Sequence, residues 1–499
     1  MPELKIHDGD SLYSFQIEKD ELLLDALRSK GFSIYSPCGG KGSCGKCLVM
    51  VKGTGMVTSC LFKVQDSIEV VLPEQRGAQV LSAQHSLTRD LPLNPGESVR
   101  LSDNPHGIAI DLGTTTLVFY LVSLKTGSLV ETLTLLNPQS VFGADVISRI
   151  QYASLSPLAL MELHTSICSA INSQLRRFMN FLHISPHDFV KITVAGNNTM
   201  LHLLLGKDPT SMGQAPYTPL FTGIQKRTGL ELRLSCHPGA EITLLPSVSA
   251  YVGADIVAGI SSIRPMDQYR RYIFVDLGTN GELALVTPET IWCCATAAGP
   301  AFEGANISCG MGGVEGAIAQ YSAMGYHVIG DEKPLGICGS GLVDVVAYLV
   351  EYGLVDSGGF LENEFEIVDA DHSATKKTIK ITQADIREVQ LAKSAISSGI
   401  NILLKQANLR IEDMDALFLA GGFGNYLNVE SAMKIGLIPA WMKDKVISLG
   451  NTAGTGAILS LTCESFETTV IREILHRTRY VELAGDDDFP LEFAMNMGF

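Results

Sequence analysis

Three cysteines and four glycines stand together in the ten residues CGGKGSCGKC, at positions 38–47. With Cys60 they give the spacing C-x5-C-x2-C-x12-C, and four thiolates can hold either zinc or an iron-sulfur cluster. Structural zinc sites usually take two separated C-x2-C pairs. Here three cysteines share one glycine-rich loop, whose backbone amides can turn toward bridging sulfides. The spacing therefore favours a one-electron 2Fe-2S carrier, with zinc as the alternative.

The fourth cysteine must come back to this loop from a distance. The stretch LVMVKGTGMVTS between Cys47 and Cys60 predicts a hairpin with KGTG as its turn, which would place Cys60 beside the loop. The arrangement resembles that of plant-type ferredoxins, although twelve residues are few before the fourth ligand. Cys38, Cys44, Cys47 and Cys60 are the predicted ligands. The remaining seven cysteines are expected to be small buried hydrophobic residues.

A second kind of chemistry is predicted where an apolar strand ends at Asp111 and the turn GTTT follows. Gly113 would let a polyphosphate approach closely, Thr114 and Thr115 would supply donors, and Asp111 could orient a hydrated Mg2+. One such turn also fits an ordinary hairpin. The pattern is repeated, however, because YIFVDLGTNGELALVT answers GIAIDLGTTTLVFYLV, and Asp276 follows Asp111 by 165 positions.

Several weaker candidates have two interpretations each. Asn197, in the turn AGNNT, could contact phosphate or position water, or it could cap a helix. Gly339 in CGSGLVD could touch nucleotide, although close helix packing explains it equally well. A second GAD echo holds Asp145 and Asp255, which are expected to cap helices.

These residues need elements to position them, and the apolar pattern supplies a plan. Residues 1–73 indicate two hairpins, one short helix and a cofactor loop, which predicts a β-grasp ferredoxin-like domain. Residues 74–104 are polar and indicate a linker, which would let the cluster domain move, or a small docking segment. Residues 105–499 alternate strands rich in Ile and Val with long helices, so an α/β domain with two halves, about 105–270 and 271–499, is expected.

Composition excludes several classes of function. The formal charge of −16 argues against a nucleic-acid binder, because phosphates require a basic surface. No apolar run reaches the length of a membrane helix, and the N-terminus has no signal-peptide pattern, so no membrane association and a cytoplasmic location are expected.

The order of the turns resembles the phosphate-1, phosphate-2 and adenosine motifs of the superfamily that contains sugar kinases, heat-shock chaperones and actin. In that superfamily two ribonuclease-H-like halves clamp ATP. The resemblance implies an ATP and Mg2+ site with Asp276 in catalysis, and Asn197 is added as a second catalytic candidate from its own turn. The nucleotide-binding residues that the resemblance implies are Asp111, Gly113, Thr114, Thr115, Gly278, Thr279, Asn280, Gly281, Gly421 and Gly422, to which Gly339 is added as a candidate from CGSGLVD.

The whole chain resembles the reductive activators of corrinoid enzymes, through CGGKGSCGKC, IDLGTTT, NPQSVFGADVISRI, AGNNTMLHLLLG, DLGTNGE, GICGSGLVD and AGGFGNYL. Members return an electron to corrinoid proteins whose Co(I) has been oxidised to Co(II), at the expense of ATP. The resemblance implies a corrinoid protein of a methyltransferase system and an upstream electron donor as partners. The linker is too short for the extra middle domain that longer members carry.

Two other functions and the oligomeric state stay open. The chain could be a small-molecule kinase with an iron-sulfur regulator, which would need a substrate hydroxyl near Asp276 or Asn197. It could also be a redox sensor that binds nucleotide without turnover. A homodimer is compatible with the sequence but is not indicated by it.

Overall fold

The computed structural model describes residues 2–8, 11–30, 32, 34, 47–72, 87–278, 280–421 and 427–499. Its N-terminal sheet has the order β2-β1-β5-β3-β4, with β1 parallel to β5. Alternate strand residues such as Leu4, Ile6 and Val49 point to one face and pack against the apolar side of α1. This is the predicted β-grasp arrangement. The elements are β1 (Glu3–Asp8), β2 (Ser11–Gln16), α1 (Leu23–Ser29), β3 (Leu48–Val51), β4 (Gly55–Thr58) and β5 (Ile68–Val71).

The next sheet has the order β10-β11-β9-β6-β7-β8. Strands β6, β7 and β8 form an antiparallel meander, and β9 and β11 continue the sheet in parallel to β6. The elements are β6 (His106–Leu112), β7 (Thr116–Ser123), β8 (Leu129–Leu136), α2 (Val146–Ala153), α3 (Pro157–Leu182), β9 (Phe189–Gly196), α4 (Asn198–Leu204), β10 (Gln225–Thr228), β11 (Glu241–Leu244) and α5 (Ala254–Ser262).

The third sheet repeats that plan as β21-β20-β12-β13-β14-β22. Strands β12, β13 and β14 form the meander, and β20 and β21 run parallel to β12. The two sheets therefore share the ribonuclease-H-like strand order, and the predicted duplication is confirmed. The elements are β12 (Tyr272–Leu277), β13 (Gly281–Val286), β14 (Ile291–Thr296), β20 (Ala416–Ala420), β21 (Val446–Gly450) and β22 (Thr478–Tyr480).

Most of the remaining elements surround the third sheet. The helix α7 packs on it so closely that a Cβ on Gly399 would lie 2.4 Å from a Leu283 methyl group. These elements are β15 (Ala317–Ser322), β16 (Gly325–Val328), β17 (Gly336–Ile337), α6 (Gly339–Glu351), β18 (Phe365–Val368), β19 (Ile379–Ile381), α7 (Gln383–Gln406), α8 (Val429–Lys434), α9 (Thr452–Thr462), α10 (Arg472–Arg477) and α11 (Phe489–Met495). Among the helices of the described ranges, none has the length and apolarity of a membrane span.

The two halves exchange a helix. The helix α5, which belongs to the first half in sequence, packs on the second-half sheet, where Gly259 leaves room for the ring of Phe274. The helix α9 packs on the first-half sheet, with Leu461 against Gly107 and Gly454 against the ring of Tyr120. The position near 270 therefore separates two sheets but does not separate two packing units.

The C-terminal part of the predicted linker is docked. Leu87 lies in the core of the second half, and Leu91 and Val99 pack against the core of the first half. The amide of Arg89 donates to the carbonyl oxygen of Ser262, and the amide of Asn94 donates to that of Thr462. Residues 87–104 therefore form a docking segment, which is the second of the two predicted alternatives, and not a free linker, while residues 74–86 lie outside the described ranges.

Candidate functional site

The turn between β6 and β7 is closed by its own backbone, because the amide of Gly113 donates to the carbonyl oxygen of Thr116 at 3.1 Å. A Cβ on Gly113 would lie 2.5 Å from that oxygen, so a side chain would force the turn open. The side chain of Asn137 donates to the carbonyl oxygen of Gly113 at 2.9 Å. The backbone amide of Asn137 donates to the carbonyl oxygen of Thr115 at 2.8 Å. The turn thus has a fixed shape without a ligand.

A buried arginine supports the same turn from beneath. Arg149 Nη2 donates to the carbonyl oxygen of Thr114 at 2.7 Å, and Nε donates to that of Gly143 at 2.9 Å. Burial lowers the pKa of Arg149 to about 9. Asp145 caps the helix that carries this arginine, as predicted, by accepting from the amide of Ser148 at 2.7 Å.

Asn197 has the predicted role of a helix cap and also bonds a residue of the first turn. Its Oδ1 accepts from the amide of Met200 at 3.0 Å, which caps α4. Its Nδ2 donates to Thr114 Oγ1 at 2.9 Å. The residue is therefore a helix cap that also contacts the first phosphate-type turn.

Five carboxyl groups from both halves come together where the two turns meet. Asp111 and Asp276 occupy equivalent positions, each one residue before the end of its strand. Glu303, from a loop of the second half, accepts from Thr115 Oγ1 of the first turn at 2.9 Å. Asp255 and Glu282 also belong to the cluster. The negative charge of Asp255 raises the pKa of both Asp276 and Glu282.

Burial and mutual repulsion hold these carboxyl groups partly protonated. Burial raises the pKa of Asp276 to about 8, and the charges of Asp255, Asp111 and Glu303 contribute to that rise. Burial likewise raises the pKa of Asp111 to about 7 and that of Asp255 to about 6. The pKa of Glu282 lies well above its usual range, chiefly because the group is buried. A cation entering the cluster would displace protons.

Asn451 holds Asp111 in place from the second half. Its Nδ2 donates to Asp111 Oδ2 at 2.7 Å, while its Oδ1 accepts from the amide of Gly454 at 2.7 Å and caps α9. The bond to Asn451 lowers the pKa of Asp111 against the larger effect of burial. One side chain therefore joins the start of α9 to the first carboxylate.

Each aspartate turn faces a glycine at the end of the neighbouring parallel strand. A Cβ on Gly196 would lie 2.6 Å from the carbonyl oxygen of Leu112, and one on Gly421 would lie 2.8 Å from Asp276 Oδ1. Gly421 also has a φ of +87°, which favours glycine. At both strand ends, therefore, the absence of a side chain on the glycine allows the turn that carries the aspartate to pack closely against the neighbouring strand.

In the second turn the backbone hydrogen bond joins residues two positions apart, instead of three as in the first turn, and the packing also differs. The amide of Gly278 donates to the carbonyl oxygen of Asn280 at 3.1 Å. The side chain of Asn280 bonds Glu282 and lowers the pKa of that carboxyl group. A Cβ on Gly281 would lie 2.6 Å from Thr296 Oγ1, so Gly281 serves close strand packing. Thr279 lies outside the described residues.

The carboxylate cluster fits Mg2+ held together with phosphates. Across the described parts of the chain, no three His, Cys, Asp or Glu side chains form a ready-made metal cage. Mg2+ usually keeps several waters and takes one or two carboxylates plus substrate phosphates. Asp111 and Asp276, which act on each other electrostatically, are of the right type and number for that mode.

The predicted hairpin before Cys60 is present and returns this cysteine to Cys47. Strands β3 and β4 pair from Leu48 with Thr58 to Val51 with Gly55. The backbone amide of Cys60 then donates to Cys47 Sγ at 3.4 Å. Both thiols are buried, and amide hydrogen bonds to cysteine sulfur suit an iron-sulfur cluster. Cys38 and Cys44 lie outside the described residues, so the full ligand set stays a prediction.

Two further predicted residues are Gly339 and Gly422. Gly339 begins α6, and the neighbouring Gly341 packs so closely that its Cβ would lie 2.3 Å from the carbonyl oxygen of Ile318. This geometry agrees with the packing interpretation of CGSGLVD. Gly422 lies outside the described residues.

Four residues of the site were not predicted as site residues from the sequence, and one of them, Asp255, was predicted to have a different role. Asp255 is the second residue of α5, whose N-cap is Gly253, so the expectation that Asp255 caps the helix was wrong. The GAD echo and the glutamate of DLGTNGE were visible signals for Asp255 and Glu282. Glu303 and Asn451 carry no local signal, because their partners Thr115 and Asp111 are 188 and 340 positions away.

The N-terminal domain is a β-grasp unit in which Cys60 lies beside Cys47. Two sheets with the same ribonuclease-H-like strand order follow, and each has an acidic turn. Together these features define an iron-sulfur protein with an ATPase fold of the actin and sugar kinase class. Family comparisons agree. A model of the 2Fe-2S iron-sulfur cluster binding domain matches residues 6–79, the RACo middle region matches 106–268, and the C-terminal ASKHA domain of RACo matches 270–499. The family's middle region is therefore present and is the first half of the duplicated fold.

Similar proteins match this chain over at least two thirds of its length. The chain is 31% identical to the corrinoid activation enzyme RamQ of Eubacterium limosum, over 97% of each chain. It is 27% identical to the [Co(II) methylated amine-specific corrinoid protein] reductase of Methanosarcina barkeri, over 70% of this chain and 68% of that protein. A solved reductive activator for corrinoid, iron-sulfur protein has a TM-score of 0.75 and 28% identity, over 100% of this chain and 98% of the other. The protein belongs to the RACo family.

Proposed function

We propose that this protein reduces the Co(II) form of a corrinoid protein to Co(I), using one electron from a 2Fe-2S cluster and the energy of ATP. The observation that carries the proposal is the convergence of Asp111 and Asp276 at two equivalent turns, in a chain whose N-terminal domain brings Cys60 to Cys47. The relatives named above are described as corrinoid activators or reductases. The electron would come from an upstream donor.

The cysteines have the task of holding the redox centre. A 2Fe-2S cluster bound by Cys38, Cys44, Cys47 and Cys60 would supply one-electron chemistry, near about −400 mV for plant-type clusters. The hairpin β3–β4 fixes the distance between Cys47 and Cys60, and the amide of Cys60 stabilises sulfur charge. Ser59 Oγ, which donates to the carbonyl oxygen of Cys47 at 2.8 Å, holds this corner closed.

The duplicated domain has the task of binding ATP. Gly113, Thr114 and Thr115 would receive phosphates of ATP at the first turn, and Gly278, Thr279 and Asn280 would do so at the second. Asp111 and Asp276 would orient hydrated Mg2+, with Asp276 also aligning the attacking water. Asn197, which bonds Thr114, would act on the same phosphates. Gly421 and Gly422 would accept the adenosine.

ATP would be needed because electron transfer from the cluster to the Co(II) corrinoid is thermodynamically unfavourable. For one electron, about 59 mV below the donor potential costs a factor of ten in the equilibrium. A Co(II) corrinoid is expected to lie below the cluster potential, so reduction requires a state of the complex that nucleotide stabilises. A ligand shifts an equilibrium only by binding the two states differently. Closure of the two halves on Mg2+-ATP is the change that would supply this difference.

The proposal is tested by mixing the reduced protein with a Co(II) corrinoid protein without oxygen. The Co(I) absorption should appear only when Mg2+-ATP is added. Equal Co(I) formation without nucleotide, at the same reductant potential, would contradict the coupling.

Two cysteine variants test the cluster separately from the ATP requirement. Cys60→Ser should remove the visible absorption and the bound iron and sulfide, because it deletes a predicted ligand, while nucleotide binding stays intact. Cys168→Ser is the matched control, since Cys168 lies on α3 in the other domain, and it should keep both the cluster and electron transfer. Retention of equal iron and sulfide by Cys60→Ser would exclude Cys60 as a ligand.

A further inference from the structure

Both exchanged helices run from the carboxylate cluster to the far side of the ATPase domain. Asp255 is the second residue of α5, and Asn451, which bonds Asp111, is the N-cap of α9. At 1.5 Å per residue, the two helices are about 13 Å and 16 Å long. Their C-terminal ends therefore lie well behind the candidate nucleotide site.

One short segment joins these two C-terminal ends. At α5, the amide of Arg89 donates to the carbonyl oxygen of Ser262 at 2.9 Å, and the amide of Arg264 donates to that of Leu87 at 2.7 Å. At α9, the amide of Asn94 donates to the carbonyl oxygen of Thr462 at 2.8 Å. The amide of Glu464 donates back to the carbonyl oxygen of Asn94 at 2.7 Å. We call residues 87–95 the strap.

Side chains reinforce both attachments. Arg89 Nε donates to the carbonyl oxygen of Ser261 at 2.7 Å. The buried Lys191 Nζ, on β9, donates to the carbonyl oxygen of Pro95 at 3.1 Å. Leu87 is buried in the core around β12, and Leu91 packs against the core around β6. The strap is thus fixed to both halves.

The helices that the strap connects cross each other on small residues. A Cβ on Gly259 of α5 would lie 2.8 Å from Thr452 Oγ1, and one on Gly456 of α9 would lie 2.3 Å from the carbonyl oxygen of Ala258. Backbones in such close contact act as a pivot, because side chains do not interlock between them. Rotation about the pivot would move the two C-terminal ends relative to each other.

We propose that the strap links nucleotide-dependent closure of the two halves to the cluster domain, which precedes the strap in sequence. This inference rests on the proposed function, because it requires that nucleotide closes the halves. Five peptide steps separate Arg89 from Asn94 and span at most about 18 Å, so the strap has a fixed maximum reach. Because Leu87 and Arg89 are bonded to the end of α5 and Asn94 to the end of α9, a change in the distance between these ends would pull on the strap and shift residue 87 together with the end of α5.

Hydrogen exchange in the full-length protein tests the movement. With saturating Mg2+-ATP, compared with Mg2+ alone, peptides that cover 87–95, 263–266 and 462–466 should exchange more slowly, by about threefold or more. The peptide that covers β1 and β2 is the internal control and should be unchanged. Unchanged exchange in the strap while nucleotide is bound would overturn the proposal.

An insertion tests the coupling. Adding Gly-Ser-Gly-Ser between Asp90 and Leu91 gives the strap slack and should leave the nucleotide dissociation constant within about twofold. ATP-dependent Co(II) reduction should fall about tenfold or more, and the nucleotide effect on strap exchange should vanish. The same insertion between Met324 and Gly325, in the exposed turn of β15 and β16, is the control and should keep both.

The two proposals fail in different ways. If the strap insertion keeps full ATP-dependent reduction, the strap proposal is wrong and the proposed function stands. If the unaltered protein binds no nucleotide, or reduces Co(II) equally well without it, the proposed function is wrong and the strap proposal falls with it.

Discussion

The carboxyl groups of Asp111 and Asp276 store protons that a cation must displace. Because burial raises the pKa of Asp111 to about 7 and that of Asp276 to about 8, both groups are partly protonated at neutral pH. Their charged forms become available as the pH rises through this window. Proton occupancy at these two residues therefore opposes Mg2+ binding most strongly under acidic conditions.

This linkage predicts the pH dependence of binding. The affinity for Mg2+-ATP should rise as the pH passes through the pKa values of about 7 and about 8, and binding at neutral pH should release protons. Calorimetry in two buffers of different ionisation enthalpy measures the number released. Without nucleotide the sign for stability is opposite. Because the folded pKa values lie above the ordinary value of 3.8, the free energy of unfolding should fall as the pH rises from that value up to about 7 and about 8, and level off above. A flat affinity across this range would contradict the assignment.

Asp276 itself can be tested by removing its charge. Asp276→Asn should lower ATP turnover about 100-fold or more, because alignment of metal and water acts mainly on the transition state, while nucleotide affinity changes much less. Asp344→Asn is the matched control, since Asp344 is also a buried carboxyl but accepts from the amide of Tyr321 on β15. Full turnover by Asp276→Asn would show that the aspartate has another role.

The sequence predicts residues whose signal is local and misses those whose partners are remote. Asp111 and Asp276 could be found because each ends a strand before a repeated turn. Glu303 and Asn451 could not, since nothing near them in sequence indicates contact with Thr115 or Asp111. Arg149 was missed for another reason, because its guanidinium serves backbone carbonyls, which any sequence offers.

At the level of elements, the end of β20 must leave room for the second carboxylate. Gly421→Ala would add two penalties, a positive φ and a Cβ only 2.8 Å from Asp276 Oδ1. The φ alone costs about 1–3 kcal/mol of stability. We expect the variant to lose that stability and also to lose nucleotide turnover, because Asp276 must shift.

A second glycine separates these two effects. Gly353 has a φ of +68°, and no atom lies within 4 Å of the place that a Cβ would take, so Gly353→Ala carries the strain alone. Thermal unfolding should show comparable losses for both variants, and turnover should fall in Gly421→Ala alone. Equal turnover in the two variants would mean that Gly421 serves only the backbone.

Elements formed by neighbouring residues were predicted well. The hairpins β3–β4, β6–β7 and β12–β13 follow from alternating apolar residues around glycine turns. The exchange of α5 and α9 was not predictable in this way, because an apolar helix face does not say which sheet it will cover. The same holds for the strap, whose polar composition suggested a linker and whose backbone bonds depend on helix ends far away in sequence.

At the scale of the whole molecule, the exchanged helices make the ATPase domain one cooperative unit. Neither sheet is covered without a helix from the other half, so we expect one calorimetric transition for residues 87–499. Mg2+-ATP at 100 times its dissociation constant should stabilise that transition by about 2.7 kcal/mol. Two separate ATPase transitions, with nucleotide shifting only one, would contradict this cooperativity.

The exchange also sets an order for biosynthesis. The face of β6 that α9 covers is made long before α9 itself, because Asn451 follows its partner Asp111 by 340 residues. At about 5–20 residues per second, the ribosome needs roughly 17–70 s to close that gap. During this interval the nascent first sheet exposes apolar surface, so it is a natural client for ribosome-associated chaperones, and chains released before residue 452 should aggregate.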